Sequence, residues 1–219
     1  VLTLLSTIFL EAWQFSAIEE ATGDREVHIR FYGQVWSAFL SAMVMAGSVL
    51  IVLCRVEIRL LSAARYFEAW KYVPVLSIAM VFSAFASFMG SVYVVTEKSR
   101  LSFRTTLWGA LANILLNLLL IPRIGIQGAA IATLASYVLC FSIRAVSARK
   151  LIPFPLRFTR LVFSAALLGI QSLLCFVNSP IQPIGQIVAL LLLLMANRKP
   201  FVQTVQQLLH VVSSRTQKK

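Results

Sequence analysis

Seven apolar runs dominate this chain, each close to the ~20 residues that a helix rising 1.5 Å per residue needs to cross a ~30 Å hydrocarbon layer. They read as Val1 to Ile18, Gly33 to Cys54, Val73 to Val95, Thr105 to Ile121, Ile126 to Ser147, Leu161 to Val177 and Ile181 to Ala196. No ten-residue strand alternation competes with them, and in lipid only helices or closed barrels satisfy their own backbone groups. The expectation is an all-α integral membrane protein of about seven transmembrane helices. The bulk numbers agree, since 59% of residues are hydrophobic and only 13% charged, with a mean hydropathy of +0.83. A single aqueous core cannot absorb that much apolar surface.

The net charge of +12 does not indicate nucleic acid, because apolar runs break the Lys and Arg residues into small groups that form no continuous basic face. Loop charges of this kind set membrane orientation. One side collects Arg25, Arg30, Lys98, Arg100, Arg104, Arg144, Arg149, Lys150, Arg157, Arg160, Arg198, Lys199, Arg215, Lys218 and Lys219. The other holds Arg55, Arg59, Arg65, Lys71 and Arg123. The excess predicts a cytoplasmic C-terminus.

Between the second and third spans, Leu60, Leu61, Ala64, Phe67 and Trp70 recur at helical spacing, which suits a short interfacial helix before Pro74. Pro200 to Lys219 reads as an amphipathic surface helix in a basic tail. Trp36, Trp70, Tyr72, Tyr93 and Trp108 lie near span ends, as an aromatic belt would. Cys54, Cys140 and Cys175 lack CxxC spacing or neighbouring His and read as buried free thiols. Val1 is not an initiator Met and opens directly into apolar sequence, so a fragment of a longer chain is expected.

The richest stretch is Gly109 to Ser136. Asn113 and Asn117 share one helix face, and Ile121 to Gly125 should make an abrupt turn. Beyond it, Gly125, Gly128, Ala132 and Ser136 are packing candidates, the last three forming a small-xxx-small stripe that lets another helix approach closely. A tightly packed helical hairpin follows.

The asparagine pair, Leu120 to Pro122, Gly125 and the GAAIAT of Gly128 to Thr133 resemble the polysaccharide transporter branch of the MOP superfamily. That branch holds O-antigen and capsule flippases, akin to lipid II flippases and MATE drug exporters. Ala12, Trp13 and Gln14, Tyr66 to Pro74, and the short loop Thr96 to Arg104 support the resemblance, which covers roughly Glu11 to Arg144.

The resemblance implies the C-terminal bundle of a MOP-type transporter with about fourteen spans. Residues 1–147 would be the lobe bundle, 148–197 an accessory two-span hairpin and 198–219 the basic cytoplasmic tail. It further implies a multi-pass protein of the bacterial cytoplasmic membrane that flips lipid-linked oligosaccharide for surface polysaccharide synthesis. Its partners would be that lipid-linked oligosaccharide, membrane lipids and its own missing N-terminal half, with no nucleic acid. No cofactor is implied beyond a coupling ion, Na+ or H+.

Flipping breaks no bond, so the candidate residues are polar groups at membrane depth. Glu11 is the only acid well within a span, and an intramembrane carboxylate is costly enough to suggest function. Gln14 lies beside it. Asn113 and Asn117 could hydrogen-bond sugar hydroxyls or glue helices together. Arg59 and Arg123 could meet a diphosphate with the guanidinium fork. A cation-coupled MATE-like multidrug exporter is the alternative within the superfamily. A membrane glycan-processing enzyme would need clustered His, Asp or Glu, and eight acids scattered mainly through loops offer none. A non-transporting scaffold is the remaining reading.

Overall fold

A computed structural model describes residues 1–20, 25–177 and 182–198, with the side chains of residues 12–25 outside the description. The chain forms α1 (Leu2–Glu20), α2 (Arg25–Leu61), a 3-10 segment (Ala64–Lys71), α3 (Val73–Val95), α4 (Ser99–Ile124), α5 (Ile126–Leu151), α6 (Phe158–Leu174) and α7 (Gln182–Arg198). Among the described residues there is no strand. Four of these helices, α2 to α5, are long and apolar enough to cross a membrane, and α1, α6 and α7 carry shorter apolar stretches. The tail helix read from Pro200 to Lys219 lies outside the described residues.

The helices outrun the apolar runs that seeded them. The second span was expected to end at Cys54, but α2 continues to Leu61, because no Gly or Pro interrupts Arg55 to Leu61. Leu60 and Leu61 therefore belong to α2, and the expected interfacial helix is reduced to the 3-10 segment, none of whose residues is buried. Similarly, α4 starts at Ser99 and takes in Arg100 and Arg104, while α5 takes in Arg144, Arg149 and Lys150, all read as loop charges from sequence.

The α4–α5 turn is also tighter than expected. Pro122 and Arg123 remain helical, and the chain reverses at Gly125 alone, where φ is +61° and ψ −141°. That conformation is essentially restricted to glycine. Pro122 costs little so close to the end, since the backbone bond from Gly125 N–H to Ile121 O still closes the last turn.

The core is aromatic. Trp36 sits 5.3 Å from Phe85, 5.2 Å from Phe88 and 6.1 Å from Phe141 between ring centres, and Phe39 stacks on Phe88 at 5.3 Å. Trp36 and Tyr93 are fully buried, so neither is a belt residue. The long N-terminal extension of α2 moves Trp36 inward, and Tyr93 hydrogen-bonds Ser147 of α5. Trp108 is exposed.

After α5, residues 152–157 form an extended strap laid across α2. Phe154 is fully buried, the Trp36 indole donates to Leu156 O at 2.9 Å, and Gly33 leaves room for the Pro155 ring. The strap delivers α6 and α7 to the flank of α2. There the contacts are polar: Ser48 Oγ of α2 donates to Gln171 Oε1 of α6 at 2.8 Å and Ser41 Oγ of α2 to Asn197 Oδ1 of α7 at 3.2 Å, while Gln186 Nε2 of α7 donates to Gln171 O of α6 at 2.9 Å. Helices in lipid lack a hydrophobic drive to associate, so such bonds contribute where burial cannot.

Candidate functional site

α1 packs its Leu2 and Ser6 side inward and presents Thr3, Thr7 and Glu11 along a neighbouring face, beside exposed Leu4 and Ile8, where all three are exposed. Their i, i+4 spacing lines them up as one polar stripe. Gln14 continues it by sequence, but its side chain, like those of Ala12 and Trp13, lies outside the described residues. A carboxylate facing hydrocarbon is costly, so this face requires water or another protein surface.

The asparagine pair points elsewhere. Asn117 Nδ2 donates to Asn113 Oδ1 at 3.0 Å, Asn113 Nδ2 to Ser136 Oγ at 3.0 Å, and Ser136 Oγ to Ala132 O at 2.6 Å. This relay runs from α4 into α5. Ala132 is fully buried on the same stripe, and a β-carbon at Gly128 would stand 2.6 Å from the Leu120 carbonyl. The two helices therefore touch backbone to backbone at the turn and exchange amide and hydroxyl bonds higher up.

Arg59 and Arg123 are both exposed and lie on different helices. The Arg59 guanidinium lies 5.6 Å from the Phe67 ring centre, beside a shallow groove lined by Ile58, Ser62, Ala63, Ala64 and Phe67. Arg123 Nη1 donates back to Leu119 O at 3.1 Å, closing the end of α4. Arg55 and Arg65 likewise lie over Trp70 and Tyr66, at 4.4 and 4.8 Å. Arg55, Arg59 and Arg65 are thus each seated on an aromatic ring, whereas Arg123 is tied back to its own helix.

Sequence reasoning missed Arg144. It reads as a loop charge, but it is 9% exposed and inserted between three helices. Its Nε donates to Thr105 Oγ1 at 3.0 Å, Nη1 to Ala86 O at 2.8 Å and Nη2 to Thr106 Oγ1 at 2.8 Å. The clue was its register: Gly128, Ala132, Ser136, Cys140 and Arg144 follow at intervals of four, so the small-residue stripe leads straight to the guanidinium. Among the described residues, no three His, Cys, Asp or Glu side chains converge to hold a metal ion.

The chain matches no protein-family model and no curated protein sequence. Among solved structures it is similar to the lipid II flippase MurJ in an inward closed conformation, with a TM-score of 0.63 and 17% identity. The likeness covers 93% of this chain and 45% of that one, so the chain spans under half the length of the flippase it matches. At that identity the likeness shows the fold alone: this all-helical chain, with four helices long and apolar enough to cross a membrane, folds like the matching part of that structure.

Proposed function

We propose that the chain forms one lobe of a transporter that flips lipid-linked oligosaccharide across the bacterial cytoplasmic membrane for surface polysaccharide synthesis. The observation that carries this reading is the exposed Thr3, Thr7 and Glu11 stripe on a helix of a flippase-like fold. In the completed transporter this face borders a water-filled cavity, closed on its far side by a complementary helical lobe. The carboxylate of Glu11 accepts hydrogen bonds from sugar hydroxyls or holds the coupling Na+ or H+, and the threonine hydroxyls extend the polar wall.

The remaining candidates take supporting roles in this reading. Asn113, Asn117, Gly128, Ala132 and Ser136 hold α4 to α5, so the hairpin moves as one piece. Arg59, exposed beside its groove, is positioned to meet a diphosphate emerging at the outer end, whereas Arg123 caps α4. The C-terminus faces the cytoplasm, following the loop charges.

The test is complementation by the full-length gene in a cell lacking its oligosaccharide flippase, with surface glycan as the readout. Restored export supports the assignment, and no restoration by a well-expressed protein overturns it. Glu11→Gln and Glu11→Ala should each lower export at unchanged protein level; wild-type export by both removes Glu11 from the mechanism.

A further inference from the structure

All eight Asp and Glu residues of the chain lie at or before Glu97, so residues 98–219 carry fourteen Lys and Arg and no acid. The cations of α4 to α7 must therefore find neutral acceptors, acids from elsewhere, or anions that are not protein. Arg144 has found neutral acceptors for all three of its nitrogens. Arg160 has not.

Arg160 stands in the first turn of α6, half-buried against α2. Its Nη2 donates to Ser37 O at 2.9 Å and Ser37 Oγ at 2.8 Å, but its Nε is buried with no hydrogen-bond partner among the described residues. Arg55 also has a buried unpartnered Nε, but the Trp70 ring covers its guanidinium. No such ring contact is found at Arg160 among the described residues. Arg157, exposed, immediately precedes α6.

Asn197 brings a third guanidinium to this corner. Its Nδ2 lies 3.4 Å from Ser164 Oγ, one turn along α6 from Arg160, and Ser41 Oγ reaches its Oδ1 from α2. Arg198, the next residue, is exposed at the end of α7. Ser37, Ser41, Ser164 and Asn197 are buried, and their bonds tie α2, α6 and α7 together at this corner. Glu26, the described acid on this end of α2, lies eleven residues before Ser37, about 16 Å along the helix axis.

We infer that the corner where α2, α6 and α7 meet, with Arg160 at its centre and Arg157 and Arg198 beside it, binds the phosphate of an anionic phospholipid. On the loop-charge orientation, this is a lipid of the cytoplasmic leaflet. The guanidinium fork matches a phosphodiester, and basic pockets between membrane helices on the cytoplasmic side are suited to such headgroups. The flanks decide for a lipid over a free anion: Val162 and Phe163 of α6 and Met195 of α7 are exposed and offer acyl chains an apolar surface.

The test is thermal unfolding of the full chain in neutral detergent, titrated with phosphatidylglycerol, with phosphatidylcholine of the same acyl chains, and with inorganic phosphate. Phosphatidylglycerol should raise the midpoint, and the other two should not. Arg160→Gln should weaken the phosphatidylglycerol effect about fivefold, the scale of one basic side chain at an anionic surface, while Arg123→Gln leaves it unchanged. The double variant Arg157→Gln/Arg198→Gln, which keeps the Ser37 bonds, should weaken it as well and carries the test if Arg160→Gln fails to fold. Equal protection by phosphatidylcholine, or wild-type affinity in the folded variants, overturns the site. Protection by phosphate alone at equal concentration makes it a free-anion site and overturns the lipid.

Discussion

The guanidinium of Arg144 occupies the space in which a side chain at Gly90 would begin: a β-carbon built there would stand 2.7 Å from Nη1. A cation pinned by hydroxyls of α4 and a carbonyl of α3 thus requires a glycine on α3. Gly90→Ala should destabilise the protein by about 1–3 kcal/mol, the usual cost of overpacking. Arg144→Ala should cost a similar amount through its lost charge-assisted bonds. Because the alanine methyl enters space that Arg144→Ala vacates, the double variant should fall well short of the sum. Additive thermal-unfolding energies would show that the two residues are uncoupled.

Gly125 and Gly128 are three residues apart and glycine for different reasons. Gly125 needs its positive φ and has nothing within 4 Å of a built β-carbon, so Gly125→Ala should cost about 1–3 kcal/mol of backbone strain. Gly128 has ordinary helical backbone, but its β-carbon would meet the Leu120 carbonyl at 2.6 Å. A backbone obstacle cannot rotate away, so Gly128→Ala must push α4 and α5 apart. Of the two, Gly128→Ala should show the larger loss in melting temperature and the greater protease sensitivity at the hairpin.

Asn113 should behave as a packing residue. Asn113→Ala breaks the relay to Ser136 and should cost roughly 0.6–1.7 kcal/mol, from the average to the largest value measured for hydrogen bonds between membrane helices. Ser136→Ala should cost a similar amount, with the two changes sub-additive. Transport measured per folded molecule should be unchanged in both, and a transport defect without a stability defect would return Asn113 to the substrate path.

Thr3 and Thr7 should show the opposite behaviour. Both are exposed, so Thr3→Val and Thr7→Val remove hydroxyls without removing packing. Stability should stay within about 0.5 kcal/mol of wild type. Export in the complementation assay should fall, and fall further in the double variant. Unchanged export would mean that this face of α1 borders protein or lipid and not a cavity.

The helical hairpin was legible from sequence because a repeat of four maps onto one helix face whatever lies around it. Gly128, Ala132 and Ser136 needed no tertiary information to line up. Arg144 sits on that same face, yet its position near the end of an apolar run gave it the look of an orientation signal, and burial depends on α3 and α4. Trp36 was misread for a related reason. Its distance from the end of α2 is set by eight helical residues, Arg25–Tyr32, whose mixed polarity hid them from a hydropathy reading. The amides Gln171 and Gln186 stand within apolar runs, and Asn197 just past the end of the last one. The α2 partners of Gln171 and Asn197 were not legible, since pairing Ser48 with Gln171 spans 123 residues and no local pattern encodes it.

That separation sets a schedule for assembly. Ser48 of α2 enters the bilayer when Gln171 has yet to be polymerised, and at roughly 5–20 residues per second the ribosome needs about 6 to 25 seconds to make the intervening chain. During that interval, Ser48 can fall back on a carbonyl of its own helix, as Ser87 does with Ser83 O at 3.0 Å. A serine tolerates the wait, whereas a glutamine on α2 would insert with an unpaired amide. The division of labour, hydroxyls on the early helix and amides on the late ones, makes each segment acceptable to the membrane at the moment it arrives.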